Sequence, residues 1–427
     1  MSPTFASLSI RNYRIWAAGA LVSNVGTWMG RVAQDWVVLT ELTDHSATAL
    51  GIVTGLQFAP MLFLAPWTGA VADRVPKRTL LLATQLTLAL TALAGGLLVV
   101  TGAAALWHFY VLALLTGVAT AFDNPARQTF VGEMVPRTRL ANAVALNSAS
   151  FNLGRLLGPA VAGLTIAAVG SGPAMLANAA TFAAVIGSLL LIRRSELTPV
   201  PRAAGHGSAR DGLRYVRGRP DLQLVMLLIF VLGTFGMNFQ ITIALMATQV
   251  FGKGSQEYGL LGSVMAVGSL SAALLAARRS EPRLRVLLLA LVGFVVASGA
   301  AAVAPGYVTF AAALAACGLT ALTAMTTANA MVQMRTEPST RGRVMALYMA
   351  IFFGGTPLGA PIIGWVGDVL GPRWTIGVGT IAVGVTLVMV SLWLARHENV
   401  SVSYESQRRP HLRVTVAPTH TAPEAAR

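Results

Sequence analysis

Residues 69–78 read GAVADRVPKR and stand between two apolar runs, 48–72 and 79–101. A chain that only has to turn between two apolar helices needs no glycine, carboxylate and three basic residues in so short a space. The basic residues alone would suit a loop on the cytoplasmic side of a membrane, where Lys and Arg accumulate. Gly69 and Asp73 are left over by that explanation.

The surrounding composition agrees with a membrane setting. Of 427 residues, 55% are hydrophobic and 11% are charged, against roughly 25% charged in soluble domains. Mean hydropathy is +0.66. The net charge of +15 could suggest nucleic-acid binding. However, the basic residues lie in short segments between apolar runs, which is a topology signal, and no nucleic-acid partner is expected. The single cysteine, Cys317, lies in an apolar run and excludes an intrachain disulfide. No signal-peptide pattern precedes the first run, which is expected to remain as a membrane helix.

A spanning helix takes roughly 20 mostly apolar residues. Twelve runs meet that description, at 12–40, 48–72, 79–101, 107–127, 140–168, 173–193, 221–250, 256–278, 285–304, 306–334, 343–369 and 374–395. With the N-terminus cytoplasmic, the outward loops keep only Lys253 and Arg373, so both termini are expected inside. The expected fold is an all-α membrane bundle of two six-helix halves, 1–194 and 221–396. A cytoplasmic linker joins them at 195–220, and a polar, mobile tail follows at 397–427. The halves echo one another: Arg11 and Gly51 recur at one constant offset as Arg219 and Gly259. At another, Pro136, Arg139 and Pro159 recur as Pro338, Arg341 and Pro361. Tandem six-helix halves are one transporter plan.

On these residues the chain resembles the major facilitator superfamily. GAVADRVPKR is similar to its loop motif G-x-x-x-D-R-x-G-R-R: Gly69, Asp73, Arg74, Lys77 and Arg78 match, and Pro76 replaces the second glycine. The resemblance implies that Asp73 acts as a cytoplasmic gate, meeting the start of the eleventh helix near Arg343. A carboxylate at a helix N-terminus gains about 0.3–1 kcal/mol. In the fifth run, NLGRLLGPAVAG (152–163) is similar to the antiporter motif G-x-x-x-G-P-x-x-G-G of exporters. Gly154, Gly158, Pro159 and Gly163 match, and Ala162 stands for a glycine. Close helix packing is the plainer reading of those small residues. Residues 8–196 more broadly resemble a bacterial exporter branch that includes enterobactin exporters and macrolide efflux proteins. The resemblance implies efflux of a sizeable organic molecule by proton antiport, with no cofactor besides the proton gradient.

Polar residues inside the runs mark the candidate pathway, since such residues face the bundle interior or a wet cavity. In the first run Asn24, Trp28, Arg31 and Asp35 share one helical face, flanked by Gln34. At 1.5 Å per residue from Arg11, Arg31 lies roughly 30 Å and Asp35 roughly 36 Å along, which puts Asp35 in the outer half. The i, i+4 spacing predicts that Arg31 and Asp35 pair. Two apolar residues would be cheaper than a buried pair, so proton or substrate handling is the sharper reading. Arg155 has no carboxylate nearby in sequence and joins them as a cavity charge. Asp123 and Arg127 form a second i, i+4 pair, read as packing or gate. Gln57, Asn152, Asn238, Gln240, Asn329 and Gln333 complete the cavity candidates, with plain interhelical bonding as the alternative for the last four.

His45, His108 and His206 show no metal-binding pattern, and there is no P-loop or recognisable nucleophile. The expectation is therefore a proton-coupled exporter of a small molecule, monomeric, in a bacterial cytoplasmic membrane. The alternatives are a proton-coupled importer or an uncoupled facilitator. An integral-membrane enzyme or receptor would need a catalytic constellation or a large extramembrane domain, and neither is found.

Overall fold

The computed structural model describes residues 3–198, 209–277, 282–337, 340–397, 400–404 and 412–416. The N-terminal set of helices is α1 (Arg11–Trp36), α2 (Ala47–Phe63), α3 (Ala65–Arg74), α4 (Lys77–Val100), α5 (Leu106–Met134), α6 (Arg137–Val169) and α7 (Ser171–Leu191). A short helix, α8 (Ala209–Arg217), lies within the expected linker. The C-terminal set follows: α9 (Pro220–Val231), α10 (Phe239–Leu245), α11 (Ser255–Ala277), α12 (Leu284–Ala302), α13 (Tyr307–Arg335), α14 (Arg341–Gly354), α15 (Thr356–Leu370) and α16 (Trp374–His397).

Among the described residues, ten helical stretches are long and apolar enough to cross a membrane. Two of the twelve expected runs fall short by that measure. α1 is diluted by Asn24, Arg31, Gln34 and Asp35, and α2 is a shorter apolar helix of 17 residues. Both sit within the bundle, α1 against α6 and α7, α2 against α5 and α15.

Three runs expected to be continuous are broken. The second breaks at Leu64, just before Pro66. The seventh passes through the wider turns Leu232–Gly236 and Met246–Val250. The eleventh divides at Gly355. The last two breaks meet: a side chain at Gly355 would collide with the Thr234 hydroxyl, and one at Gly359 with the Thr234 carbonyl. Small residues thus let the broken helices cross closely. Within the tail, Val400–Tyr404 and Leu412–Val416 pair antiparallel, and the rest of it after His397 lies outside the described residues. VSVSY and LRVTV alternate apolar and polar residues, the period of a strand.

One face of the bundle gathers the chain start, the loops before α4 and α6, and the linker. There Asn12 exchanges two hydrogen bonds with Arg193, Ser7 Oγ donates to the Arg139 carbonyl, and Thr198 N–H donates to the Glu133 carbonyl. We call this the linker face. At the other face, α6 turns into α7 through Gly170 (φ +92°) and α15 into α16 through Gly371 (φ +97°). Both are left-handed conformations that favour glycine.

The two sets are joined unequally along their length. One buried apolar cluster crosses between them: Met29, Val38, Leu50, Phe109 and Ile166 pack in it with Leu245, Tyr258, Leu261 and Ala360. These residues lie toward the opposite face. At the linker side of the N-terminal set, Tyr13, Trp16, Leu81, Phe130, Phe182 and Leu189 form a separate cluster.

Candidate transport pathway and its charged residues

Glycines and a proline shape the walls of the pathway. On α6, Gly154 and Gly158 lie against the α1 backbone at Asn24 and Val25, and a Cβ on Gly158 would strike Trp28. One turn further, Gly163 and Pro159 meet α11 at Ser255 and Gly259. The Ser255 hydroxyl donates to the Gly163 carbonyl at 3.3 Å, and Ser263 Oγ to the Leu156 carbonyl at 2.6 Å. The antiporter-like motif therefore packs α6 on α1 and bridges the two sets. A matching contact joins α2 to α15, where Gly51 lies against Ala360 and Pro361. Gly51 and Gly259, and Pro159 and Pro361, are the pairs that recur in the sequence, so the two bridges are equivalent.

The expected Arg31–Asp35 ion pair does not form. Asp35, 5% exposed, instead accepts a hydrogen bond from Tyr258 of α11 at 3.4 Å, and Trp36 stacks on the Tyr258 ring. Arg31 turns the other way, with its guanidinium 5.0 Å from the Trp28 ring centre and 6.0 Å from Phe58. The reason is geometric. Helical side chains lean toward the helix N-terminus, so the long Arg31 reaches back over the preceding turn, away from Asp35. Arg155 on α6 points to the same indole, 5.8 Å from its centre.

A cavity of about 170 Å³ opens inside the N-terminal set, lined by Asn24, Arg31, Gln34, Gln57, Asp123 and Arg127 among others. It gathers six of the sequence candidates. Asn24 donates to Ser150 Oγ at 3.0 Å, while the buried Gln34 Nε2 has no partner. Asp123 and Arg127 pair at 2.9 Å as expected. Thr84 and Gln85 of α4 also donate to Asp123, so this carboxylate is satisfied and 4% exposed. It is a packing centre inside the set.

The other candidates are dispersed. Trp28 lies edge-on to Phe151 beside the cavity. Asn152 donates back to the Ser148 carbonyl, Asn238 to the Thr234 carbonyl, and Gln333 to Asn329. Asn238 is buried with its Oδ1 unpartnered, Gln240 is half-buried, and Gln333 is exposed.

In the loop motif, Lys77 pairs with Glu133 at 2.8 Å, and Arg78 caps α7 by donating to the Leu189 and Leu190 carbonyls. Arg74 is exposed, and a Cβ on Gly69 would meet nothing. The Asp73 side chain, the expected gate, lies outside the described residues.

Two contacts escaped sequence reasoning. One is Tyr258. The other is Asp368, near the end of α15, which grips the start of α2. Its carboxylate accepts from Ala47 N–H at 2.7 Å, Thr48 N–H at 2.9 Å and the Ser46 hydroxyl at 3.1 Å. Beside it, Gln249 Nε2 donates to the His45 carbonyl at 3.0 Å. A lone acidic residue near the end of an apolar run was the only available signal.

The chain resembles proteins of one kind throughout. A family model described as transmembrane secretion effector matches residues 2–421. The staphyloferrin A transporter of Staphylococcus aureus is 27% identical over 256 residues, 58% of this chain and 63% of that protein, which is less than two thirds of its length. The multidrug efflux pump Tap of Mycolicibacterium fortuitum is 26% identical over 82% of this chain and 88% of its own. The enterobactin exporter of Shigella flexneri is 24% identical over 84% and 87%. Among solved structures, a nucleoside transporter superposes with TM-score 0.72 at 13% identity, covering 90% of this chain and 99% of that one. An inward-facing bacterial homologue of the lysosomal transporter Spinster gives 0.67 at 16%, covering 92% and 96%. Fold, family match and relatives converge on a transporter rather than an enzyme: the chain belongs to the transmembrane secretion effector family of the major facilitator superfamily.

Proposed function

We propose that the protein exports a small organic molecule across a bacterial cytoplasmic membrane by alternating access. In this reading twelve segments cross the membrane, six in each half, with both termini and the linker in the cytoplasm and the chain monomeric. One observation carries the proposal: the two halves are latched at the face opposite the linker, and their shared apolar core lies on that side. The arginine-rich linker face is then cytoplasmic, and the described state faces inward, ready to load. Relatives named as siderophore and multidrug exporters support the outward direction.

Proton antiport is the proposed energy source, with Asp35 as the carboxylate that takes the proton. It is buried on the latched side and held by one hydrogen bond from the other half. Opening that side would break this bond and expose the carboxylate to the outer solution. Asp73 would hold the linker face shut in the outward-facing state.

The test uses proteoliposomes loaded with anionic and cationic dyes and a proton-sensitive reporter. Antiport predicts that dye leaves as protons enter, and that an imposed proton gradient accelerates its exit. Dye movement indifferent to the gradient would eliminate antiport in favour of uncoupled export.

A further inference from the structure

We propose that Arg31 and Arg155 form a substrate-recognition pair and that the cargo is an anion, a flat or aromatic carboxylate able to lie against Trp28. The inference rests on the transport reading above and on no particular energy source.

Several cations elsewhere in the bundle have counter-groups. Arg127 has Asp123, Lys77 has Glu133, Arg219 has Asp221, and Arg78 and Arg373 donate to carbonyls. Arg31 and Arg155 differ. Among the described residues neither donates a hydrogen bond nor lies within 4.0 Å of a carboxylate. Their described neighbours are rings, and both guanidinium groups reach the same one, Trp28. They come from different helices, and their separation cannot exceed the sum of their distances to that indole. Two like charges held together in a half-buried setting repel and are less well solvated than in open water. An aromatic face offsets only part of that cost.

The available carboxylates do not neutralise the pair. Asp123 is saturated by Thr84, Gln85 and Arg127. Asp35 lies a turn beyond Arg31 and is engaged by Tyr258. Even with Asp35 ionised, two cations face one anion. The lining also holds a buried donor without a partner, Gln34 Nε2. Guanidinium forks suit carboxylate oxygens, and Phe151, which lines the cavity and packs edge-on to Trp28, offers a face for a flat body. A cavity of about 170 Å³ holds several waters, at roughly 30 Å³ each, enough for one ring acid or the acidic end of a larger molecule.

The charge arrangement has a consequence for coupling. Asp35 and a bound anion compete for Arg31, so removing the Asp35 charge strengthens anion binding. A proton and the anion therefore reinforce each other. Strict antiport has to come from the order of gate movements, and the membrane potential itself pulls an anion outward.

The experiment uses the full chain in lipid nanodiscs and two dyes that share a ring system: fluorescein, an anionic carboxylate, and rhodamine 6G, a cation. Binding is read by fluorescence anisotropy, with salicylate as a competing acid. Fluorescein is expected to bind better than rhodamine 6G. Arg31→Gln and Arg155→Gln should each weaken it about tenfold or more, as loss of a charge-assisted contact implies. The double variant should abolish binding, Arg155→Lys should restore part of it, and Asp35→Asn should tighten it. Thermal unfolding in the same nanodiscs confirms that each variant is folded. The proposal is overturned if wild type binds neither acid, if it prefers rhodamine 6G, or if the double variant binds fluorescein unchanged. Proteoliposomes separate the two readings. Fluorescein bound but never moved contradicts transport and leaves the anion site standing. Fluorescein moved normally by the double variant leaves transport and removes the site.

Discussion

The two ends of the bundle are built from different bonds. At the face opposite the linker, the halves share an apolar core, glycines seat backbone on backbone, and Asp368 caps a helix of the other half. Near the linker face, the N-terminal half keeps its own cluster, and its loop motif spends its charges internally through Lys77–Glu133 and Arg78. The contrast teaches that a closed end can rest on a few replaceable contacts. Asp368 is exposed, and a carboxylate at a helix N-terminus there contributes on the order of 1 kcal/mol. Bonds of that size can hold a gate and still let it open.

Substitutions at the two ends should act with opposite signs. The largest effect is expected at Asp35: Asp35→Asn should abolish proton-driven export while tightening fluorescein binding, read as gradient-driven efflux from proteoliposomes. Normal pumping by that variant removes Asp35 as the proton carrier. Asp368→Asn should come next, because its amide can accept at only one oxygen where the carboxylate used two. A loss of about 1–2 kcal/mol shifts the inward-to-outward ratio roughly 5–30-fold toward outward, measurable as solvent accessibility of cysteines placed at the two ends. Asp73→Asn should move the same accessibility in the opposite direction by a similar or smaller factor. An identical sign for both aspartates would dissolve the contrast. The smallest change is expected from Tyr258→Phe, which removes one long hydrogen bond worth about 0.5–1.5 kcal/mol. It should loosen the outer closure slightly and leave folding untouched.

Much of the architecture was legible because membrane burial writes itself along the chain. Apolar runs, the arginine-rich linker and the glycines of α6 are local signals. The helix breaks were less visible, since Gly355 and the wide turn at Leu232–Gly236 depend on two helices crossing there. Arg31 and Asp35 show how spacing misleads: four residues put two side chains on one face, but side-chain direction and a competing indole decide which partner each meets. Asp368 and Tyr258 lay beyond sequence reasoning for a plain reason. Their partners are hundreds of positions away, at Ala47 and Asp35 in the other half.

The account stands on the halves rocking so that one end opens as the other shuts. Distances between paired spin labels measure this directly in the full chain, with Cys317→Ala removing the single native thiol. One pair, at Asp44 and Lys253, spans the end opposite the linker, and a second, at Arg74 and Arg341, spans the linker face. In wild type the first distance should be short while the second is long. Asp368→Asn should populate a second state with both reversed. Distances that stay fixed, or that widen together at both ends, would contradict alternating access in this protein.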